Sequence, residues 1–487
     1  MPLRPFRRDQ GWLLPPSLDE MLPQDHPARF VDAVLEGFSA EKWDELGMDM
    51  EGGPAGAPAY HPRALLGIWI YGFMTGTRSS RKLEAACWDQ LPYAWLSAMA
   101  RPDHNTLWRF WRAHRDDMRH LLSMTVHAAA RMELVDLAFQ AVDGTRVAAS
   151  ASRDRTLDEA GLRRLLARVE VELDALEAQN GAENEPPPPR LPEELTDKRA
   201  LQRRVQDALE EVGRKGGPRH ANLTDPDARL LKIRGGYTVG YNAQAMVSPL
   251  KPGGMLITAV DVTNTPTDHP HLLPMIERAA SNIAGTANTE EAPVTLADAG
   301  YHSGPNLASC ALAGHRVLMP EAQASKRKDP YHRTNFIHLE DQDAYQCPEG
   351  QLLSFKGLQD RPEKGYRARR YRAEAEVCAA CPAFGECTKS ARGRVMYVTP
   401  GESLLREHRA LMESEEARAL YRMRKQTVEP VFGIVKEQMG ARRFLLRGLA
   451  NVNAEWSLLA AAFNLRSLGK IWSKRLLNTT NRATAAA

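Results

Sequence analysis

The chain has 487 residues, room for about three domains or for one enzyme domain carrying large insertions. Hydrophobic residues make up 43% and charged residues 26%, a balance that excludes a disordered tail. The most apolar run free of charge and proline, Ala64 to Thr77, holds 14 residues, whereas a membrane span takes about 20, so no membrane partner is expected. Six cysteines are too few for a disulfide scaffold, and Met1 to Gln10 has three arginines but no apolar stretch fit for a secretory leader. A reducing cytoplasm is the expected compartment, and with a net charge of only +3 the placement of charge matters more than its sum.

Up to about Leu134 the chain reads as helical. Ala28 to Glu36, Pro62 to Met74, Arg81 to Trp88 and Thr106 to Ala130 carry apolar residues at helical spacing. His61-Pro62 puts a proline at a first turn, and Asp103 to Asn105 can cap a helix. Trp69, Trp88, Trp95, Trp108 and Trp111 read as helix-bundle core. Phe139 to Ser150 is a predicted strand containing Asp143-Gly144. A polar helical insertion follows, with arms at Leu162 to Leu176 and Lys198 to Val212 broken by Pro186 to Pro189, which predicts a hairpin packed mostly on itself. Gly236 to Val247 and Gly254 to Thr263 predict a β-hairpin, His271 to Ile283 a helix, and Val294 to Ser303 a short strand ending at Asp298. Pro305 to Ala313 is a helix and His315 to Pro320 a strand. This order implies a mixed sheet with helices on its faces. Glu321 to Glu416 differs in composition, with four of the six cysteines and many basic residues. Ala417 to Met439 is helical with a kink expected at Pro430, Ala454 to Leu468 is the last apolar helix, and no structure is expected after Trp472.

Three acids stand out by position: Asp143 on the first strand, Asp298 at the end of the fourth and Glu429 on the helix after the basic region. Carboxylates converging at strand ends form an oxygen-ligand site suited to Mg²⁺. Two such ions about 4 Å apart can activate an attacking oxygen and stabilise a leaving one in phosphodiester chemistry. The plainer reading ends two strands with Asp143 and Asp298 and leaves Glu429 on a helix surface. Asp261, inside a strand pattern, reads as a strand-end or solvated acid. Tyr421, Arg424, Lys425, Glu429, Phe432 and Lys436 recur at helical steps and would share one broad face, with the aromatic free to stack on a base. From Ala417 to Arg475, 12 Lys and Arg face three Glu, so this stretch, with Arg442 and Arg443, is where a DNA backbone would lie.

Cys347, Cys378, Cys381 and Cys387 form the second constellation. Four thiolates including one C-x-x-C knuckle suit tetrahedral Zn²⁺, with His332 or His338 as substitutes for Cys347; ordinary cytosolic cysteines are the alternative. Cys87 and Cys310 read as buried core. Lys356 to Arg372 holds seven Lys and Arg against two acids, either a DNA-contact ribbon or a solvated edge.

The chain resembles the bacterial insertion-sequence transposases of the DDE type. Asp25-His26-Pro27 with Arg29, Tyr60-His61-Pro62, and Arg101-Pro-Asp-His-Asn-Thr106 with Phe110 and Arg112 are similar to that group's helical N-terminal domain. Val142-Asp143-Gly-Thr resembles the first-acid motif, Thr224-Asp-Pro-Asp227-Ala-Arg229 with Gly240-Tyr-Asn-Ala-Gln244 the second-strand signature, and Ala297-Asp298-Ala-Gly-Tyr301 the second-acid motif. Tyr421, Arg424, Glu429 and Lys436 resemble the Tyr-Arg-Glu-Lys signature, with one departure. The family pattern puts three residues between arginine and glutamate; here there are four, and Lys425 sits at the expected distance.

The resemblance implies an α/β RNase H-like mixed-sheet core. Residues 1–134 would be a helical DNA-binding domain, 135–320 the first part of the core with the hairpin insertion at about 154–216, 321–416 a Cys-rich basic insertion, 417–475 the final core helices, and 476–487 a disordered tail. It implies a catalytic triad of Asp143, Asp298 and Glu429 holding two Mg²⁺ or Mn²⁺ ions. Tyr421, Arg424 and Lys436 would position the DNA end, Lys436 as a phosphate contact. The implied partners are double-stranded DNA, as terminal inverted repeats and target, and a second copy of the chain on that DNA, with nucleoid association when bound. The expected activity is DNA cleavage followed by strand transfer. A catalytically silent DNA-binding derivative and a nuclease that only hydrolyses are the alternatives.

Overall fold

The computed structural model describes residues 17–52, 58–181, 193–284, 292–321, 328–361 and 366–486. None of the helices described is long and apolar enough to cross a membrane.

Among the described residues, seven helices come first: α1 (Pro27–Glu36), α2 (Ala40–Glu45), α3 (Pro62–Thr75), α4 (Ser80–Asp89), α5 (Leu91–Leu96), α6 (His104–His114) and α7 (Arg119–Arg131). The two His-Pro pairs are helix starts. The Nδ1 atoms of His26 and His61 accept the backbone N–H of Ala28 at 3.1 Å and of Arg63 at 3.2 Å, and the proline after each takes the first helical position. The cap satisfies a donor the helix leaves orphaned, and proline there has no N–H to waste. Asp103 caps α6 through Thr106 N at 2.6 Å. The single helix expected from Thr106 to Ala130 is divided into α6 and α7 around Arg115-Asp116-Asp117, where two aspartates, poor interior helix formers, fall together. The tryptophans are divided too. Trp69 and Trp111 are buried with rings 5.0 Å apart, whereas Trp88 and Trp108 are exposed, Trp88 beneath the Arg101 guanidinium at 3.7 Å.

The next segment contains β1 (Phe139–Ala148), β2 (Thr156–Asp158), α8 (Glu159–Gly181), α9 (Glu193–Gly213), β3 (His220–Asn222), β4 (Arg229–Ile233), β5 (Gly236–Pro249), β6 (Met255–Thr263), α10 (Leu272–Ile283), β7 (Val294–Leu296), α11 (Gly304–Leu312) and β8 (Val317–Leu318). The main sheet is mixed. β5 pairs antiparallel with β1 along one edge and with β4 and then β6 along the other; β7 runs parallel to β1, and β8 parallel to β7. Helices α8 and α9 form the expected hairpin with a small core of its own around Leu162 and Val205, closed at its base by the β2–β3 pair. Pro186 to Pro189 lie outside the described residues.

Past the sheet, β9 (Ile337–Leu339), β10 (Ala344–Gln346), β11 (Leu352–Arg361), β12 (Tyr366–Ala373), α12 (Ala375–Ala379) and β13 (Val395–Val398) make a five-stranded antiparallel sheet. The cysteine region thus has a core, with Phe336, Tyr345, Leu353 and Tyr371 buried against one another. Then come α13 (Glu402–Glu413), α14 (Glu415–Gly433) and α15 (Leu449–Ala486). Pro430 does not stop α14. The helix runs on to Gly433 and widens into a π-helical turn over Ile434–Gln438, one way a chain absorbs a lost i→i−4 bond. The tail expected to be unstructured after Trp472 is instead the end of α15. Ser473 to Leu477 contain neither glycine nor proline to stop the helix, and Trp472 packs 5.5 Å from Phe30.

One continuous core joins the N-terminal helices to the main sheet through α14 and α15. Two asparagines of α15 dock on β6: Asn464 bonds Ile257 N at 2.7 Å and Ile257 O at 2.8 Å, and Asn453 bonds Val262 N at 2.8 Å and Val262 O at 2.9 Å. Between them on the helix, Glu455 is 1% exposed and ion-paired to buried Arg78 at 2.7 Å. It also accepts the backbone N–H of Leu445 and Leu446 at 3.0 Å. Arg78 in turn donates to the carbonyls of Gly440 and Arg443. Breaking a buried pair from one side strands the other charge, so Arg78→Ala and Glu455→Ala should each cost roughly 3–5 kcal/mol in chemical denaturation. The double variant should lose clearly less than the sum, the signature of direct coupling.

Candidate active site

Asp143 lies mid-strand on β1, opposite Ala245 of β5. β1 and β7 pair through Ala141 and Leu296, so the same register carried two residues further sets Asp298 beside Asp143. The two are near enough for Asp298 to act on the Asp143 carboxyl. That carboxyl is pushed up to about 6, chiefly by burial, with Arg424 pulling it down and Asp298 and Asp268 adding to the rise. Arg424, on α14 and 6% exposed, holds Asp143 Oδ2 at 2.8 Å. Asp143 Oδ1 accepts the N–H of Gly144, and Asp298 Oδ1 that of Gly300, both at 2.8 Å.

The other signature residues do not share one face. Arg424, Val428 and Phe432 are buried, while Lys425 and Glu429 are exposed. Five residues along a helix turn about 140° beyond a full circle, so the extra residue between Arg424 and Glu429 rotates the glutamate away from the arginine's side. Val428, 0% exposed, stands where the family pattern expects the acid. Among the described residues Glu429 makes no hydrogen bond or ion pair, and no three His, Cys, Asp or Glu side chains are already drawn around one point as a metal ion would hold them. Asp143 and Asp298 are brought together; Glu429 is not brought to them. Phe432 stacks on Trp456 in the core, 6.5 Å between ring centroids, and is not free for a base.

Tyr421 is half-buried and within electrostatic reach of Asp143, Asp298 and Arg424; burial raises its hydroxyl. Lys436, in the π turn, donates to Thr145 Oγ1 and to Arg146 O at 3.1 Å, so its ammonium is docked on the strand that carries Asp143. Burial lowers its pKa, with Arg442 adding to the effect. Arg442 is exposed and paired with Glu437, while exposed Arg443 reaches Ala149 O at 3.1 Å. In the cysteine region, Lys356 pairs with Glu374 at 2.8 Å, Arg367 with Asp360 at 2.8 Å, and Arg369 with Asp343, which uses much of its positive charge locally. Asp261 pairs with Arg278 at 3.0 Å.

Sequence reasoning missed one acid at the site, Asp268, which follows β6 and precedes α10. The one signal it offers in sequence is its place in the turn Thr265-Pro266-Thr267-Asp268 between strand and helix. The acids of the second-strand signature have structural work instead. Asp225 accepts from Tyr241 Oη at 2.7 Å and Gly448 N at 3.1 Å, and Asp227 accepts Leu449 N at 2.7 Å, so both hold the start of α15.

The four cysteines of the second constellation are free thiols lining one small cavity of the β9–β13 module. Gln351 N–H points at Cys347 Sγ at 3.2 Å and Arg394 N–H at Cys378 Sγ at 3.4 Å. Burial raises the Cys387 thiol, and the other three thiols add to the rise. His332 bonds Thr334 and His338 packs on Tyr345, so neither stands in for Cys347.

The raised Asp143 carboxyl has a measurable sign. Its folded value of about 6 exceeds the ordinary 3.8, so the folded state binds more protons between those values and stability falls as pH rises through about 4 to 6. In divalent-free buffer the loss due to this group should approach about 3 kcal/mol, and Asp143→Asn should flatten that part of the stability–pH curve.

The chain matches the family model described as Transposase DDE domain over residues 346–469 and the one described as Transposase domain (DUF772) over residues 16–113. No curated protein matches it. The first match spans the four cysteines, Arg424, Glu429 and Lys436; the second spans the His-Pro helix starts. The two matches flank in sequence the strands that carry Asp143 and Asp298 and point to one assignment: the chain carries the DDE domain and the N-terminal domain of an insertion-sequence transposase of the DDE type.

Proposed function

We infer that the protein binds the ends of its DNA element, cuts them and joins them to target DNA, with Asp143, Asp298 and Glu429 as the catalytic acids. The observation that carries this reading is the closeness of Asp143 and Asp298 just past the end of the β1–β7 ladder, with Arg424 of α14 touching the first acid. The strand order β6-β5-β1-β7-β8, three antiparallel strands followed by two parallel ones, supports an RNase H-like core. The donors suit a hard divalent cation: the carboxylates crowd one another, the flanking Gly144 and Gly300 carry no side chains, and no sulfur or imidazole is among them. Asp143 and Asp298 would hold Mg²⁺ or Mn²⁺, with Glu429 joining them only after it turns in from the exposed side of α14, and such ions supply activation of the attacking oxygen and charge relief on the leaving one.

The chain's own residues do the rest. Arg424 keeps Asp143 ionised within a buried setting. Lys436 fixes the strand beside it and has donor capacity left for a phosphate. Tyr421, Lys425, Arg442 and Arg443 belong to the same basic stretch of the sequence and would steer the DNA end. The N-terminal helices would read the terminal repeat, and a homodimer would bring two ends together. We also propose that Cys347, Cys378, Cys381 and Cys387 take a structural Zn²⁺, since four thiols with no disulfide share one cavity and backbone N–H groups already face two of the sulfurs.

Incubating the protein with its element's own flanking ends and Mg²⁺ should give both cleaved and joined DNA. Asp143→Asn, Asp298→Asn and Glu429→Gln should each abolish both products while retaining end binding. Cleavage without joining would identify a nuclease, and binding without either product a silent derivative. Arg424→Ala should impair cleavage far more than Lys425→Ala, because only the first side chain reaches Asp143. Elemental analysis of protein purified without added metal should find about one zinc per chain; less than a few tenths would leave the cysteines as ordinary thiols.

A further inference from the structure

The β1–β7 ladder ends at Ala141 and Leu296, two residues short of each acid. Backbone pairing alone therefore does not hold Asp298 against Asp143. Something past the ladder must, and the opposite face of β1 contains it. Gly144 lies opposite Gln244 and Arg146 opposite Asn242 across the β1–β5 pair, and residues opposite one another in an antiparallel pair share a face. On that face three side chains turn to one carboxylate. Asn242 Nδ2 donates to Asp268 Oδ1 at 2.6 Å, Gln244 Nε2 at 2.8 Å and Arg146 Nη1 at 3.3 Å.

The carboxylate fills the room that a side chain at position 144 would need: a Cβ there would stand 2.4 Å from Asp268 Oδ1 and 2.3 Å from Gln244 Nε2. This accounts for glycine directly after the first acid. On its other side Asp268 approaches the second-acid turn, where a Cβ at Gly300 would lie 3.7 Å from Oδ2. The amide oxygen of Gln244 accepts the hydroxyl of Tyr301, a fully buried side chain three residues after Asp298. Asn306 closes the loop, donating to His269 O and Tyr301 O, both at 2.8 Å.

We propose that Asp268, Gln244 and Tyr301 form a positioning relay that sets Asp298 against Asp143. None of the three touches the reacting atoms. The relay runs from Arg146 on the first-acid strand through Asp268 and Gln244 to Tyr301 in the second-acid turn, and it replaces the backbone ladder where that ladder stops. The proposal rests on the reading of Asp143 and Asp298 as the catalytic pair.

Tyr301→Phe removes one hydroxyl and no charge; Asp268→Asn removes the relay's charge with little change of shape. Three measurements are made on the full chain: element-end binding, end cleavage, and Mn²⁺ binding to the DNA-free protein by electron paramagnetic resonance. Both variants should bind DNA ends as the parent does, with cleavage and Mn²⁺ affinity each reduced about 10- to 100-fold, the usual cost of losing a residue that orients a metal ligand. Because Tyr301→Phe leaves every charge in place, weaker Mn²⁺ binding there reports position and not field. Parental Mn²⁺ affinity and cleavage in Tyr301→Phe would overturn the relay, and that variant decides alone should Asp268→Asn not fold. Asp143→Asn is the companion arm. If it is inactive while Tyr301→Phe behaves as the parent, only the relay is wrong; if it cleaves like the parent, the catalytic reading and the relay fall together.

Discussion

A carboxylate buried in an apolar core is the constraint around which this molecule is arranged. Glu455 sits in the second turn of α15, shut off from solvent, and an isolated charge there would cost several kcal/mol. Its partners come from far apart in the chain: Arg78 from the loop between α3 and α4, and two backbone N–H groups from the turn at Leu445 and Leu446. Each must be in place for the charge to be tolerated, so the ion pair is less a source of stability than a condition on how the pieces meet. With α15 fixed, Asn453 and Asn464 meet the outer strand β6, and Trp456 Nε1 bonds Gln244 O at 3.0 Å on the strand behind the acids. The main sheet is thus anchored from a helix whose own position depends on the N-terminal region.

The acidic site stores the opposite kind of tension. Asp143, Asp298 and Asp268 concentrate negative charge in a half-buried setting, and Arg424 and Arg146 offset it through ion pairs with the first and the last of them. Asp268 spends its charge on three donors, which leaves the Asp143–Asp298 side under-compensated. A site built this way favours arrival of a cation over the empty state, and it also explains why the strand beside it is pinned by Lys436 and not left to bend under repulsion.

The main sheet and its flanking helices were legible because their signals are local. Alternation along Gly236 to Thr263, helical spacing along α1 and α3, and His-Pro starts each act within a few residues. Asp143 and Asp298 were legible for the same reason, since each lies in or just past a strand pattern with a glycine one or two residues on. What escaped depended on contacts distant in sequence. The short strand β4 exists because β5 is long enough to hold two neighbours on one edge. The β9–β13 sheet is polar on its surface and shows little periodicity until Tyr345 and Tyr371 are seen packing together at 4.9 Å. Asp268 had no motif around it and acquires its meaning only from Asn242, Gln244 and Arg146. The register on α14 was misread in a specific way: spacing grouped Arg424, Glu429 and Phe432 on one face, but a five-residue step separates the first two and burial removes the third.

The shared core bears on how such a chain can change over generations. DNA-reading segments in many enzymes are exchangeable cassettes, joined to the catalytic body by a linker that asks little of either side. Here α3, α7 and α1 pack directly on α15, whose other face supports β6. Replacing the first 134 residues would uncover that helix and strand Glu455 without Arg78. On the proposed reading of these helices as the DNA-end reader, a new recognition module would have to arrive together with a compensating α15, so altered end specificity is more accessible through substitutions on their exposed surfaces than through wholesale exchange.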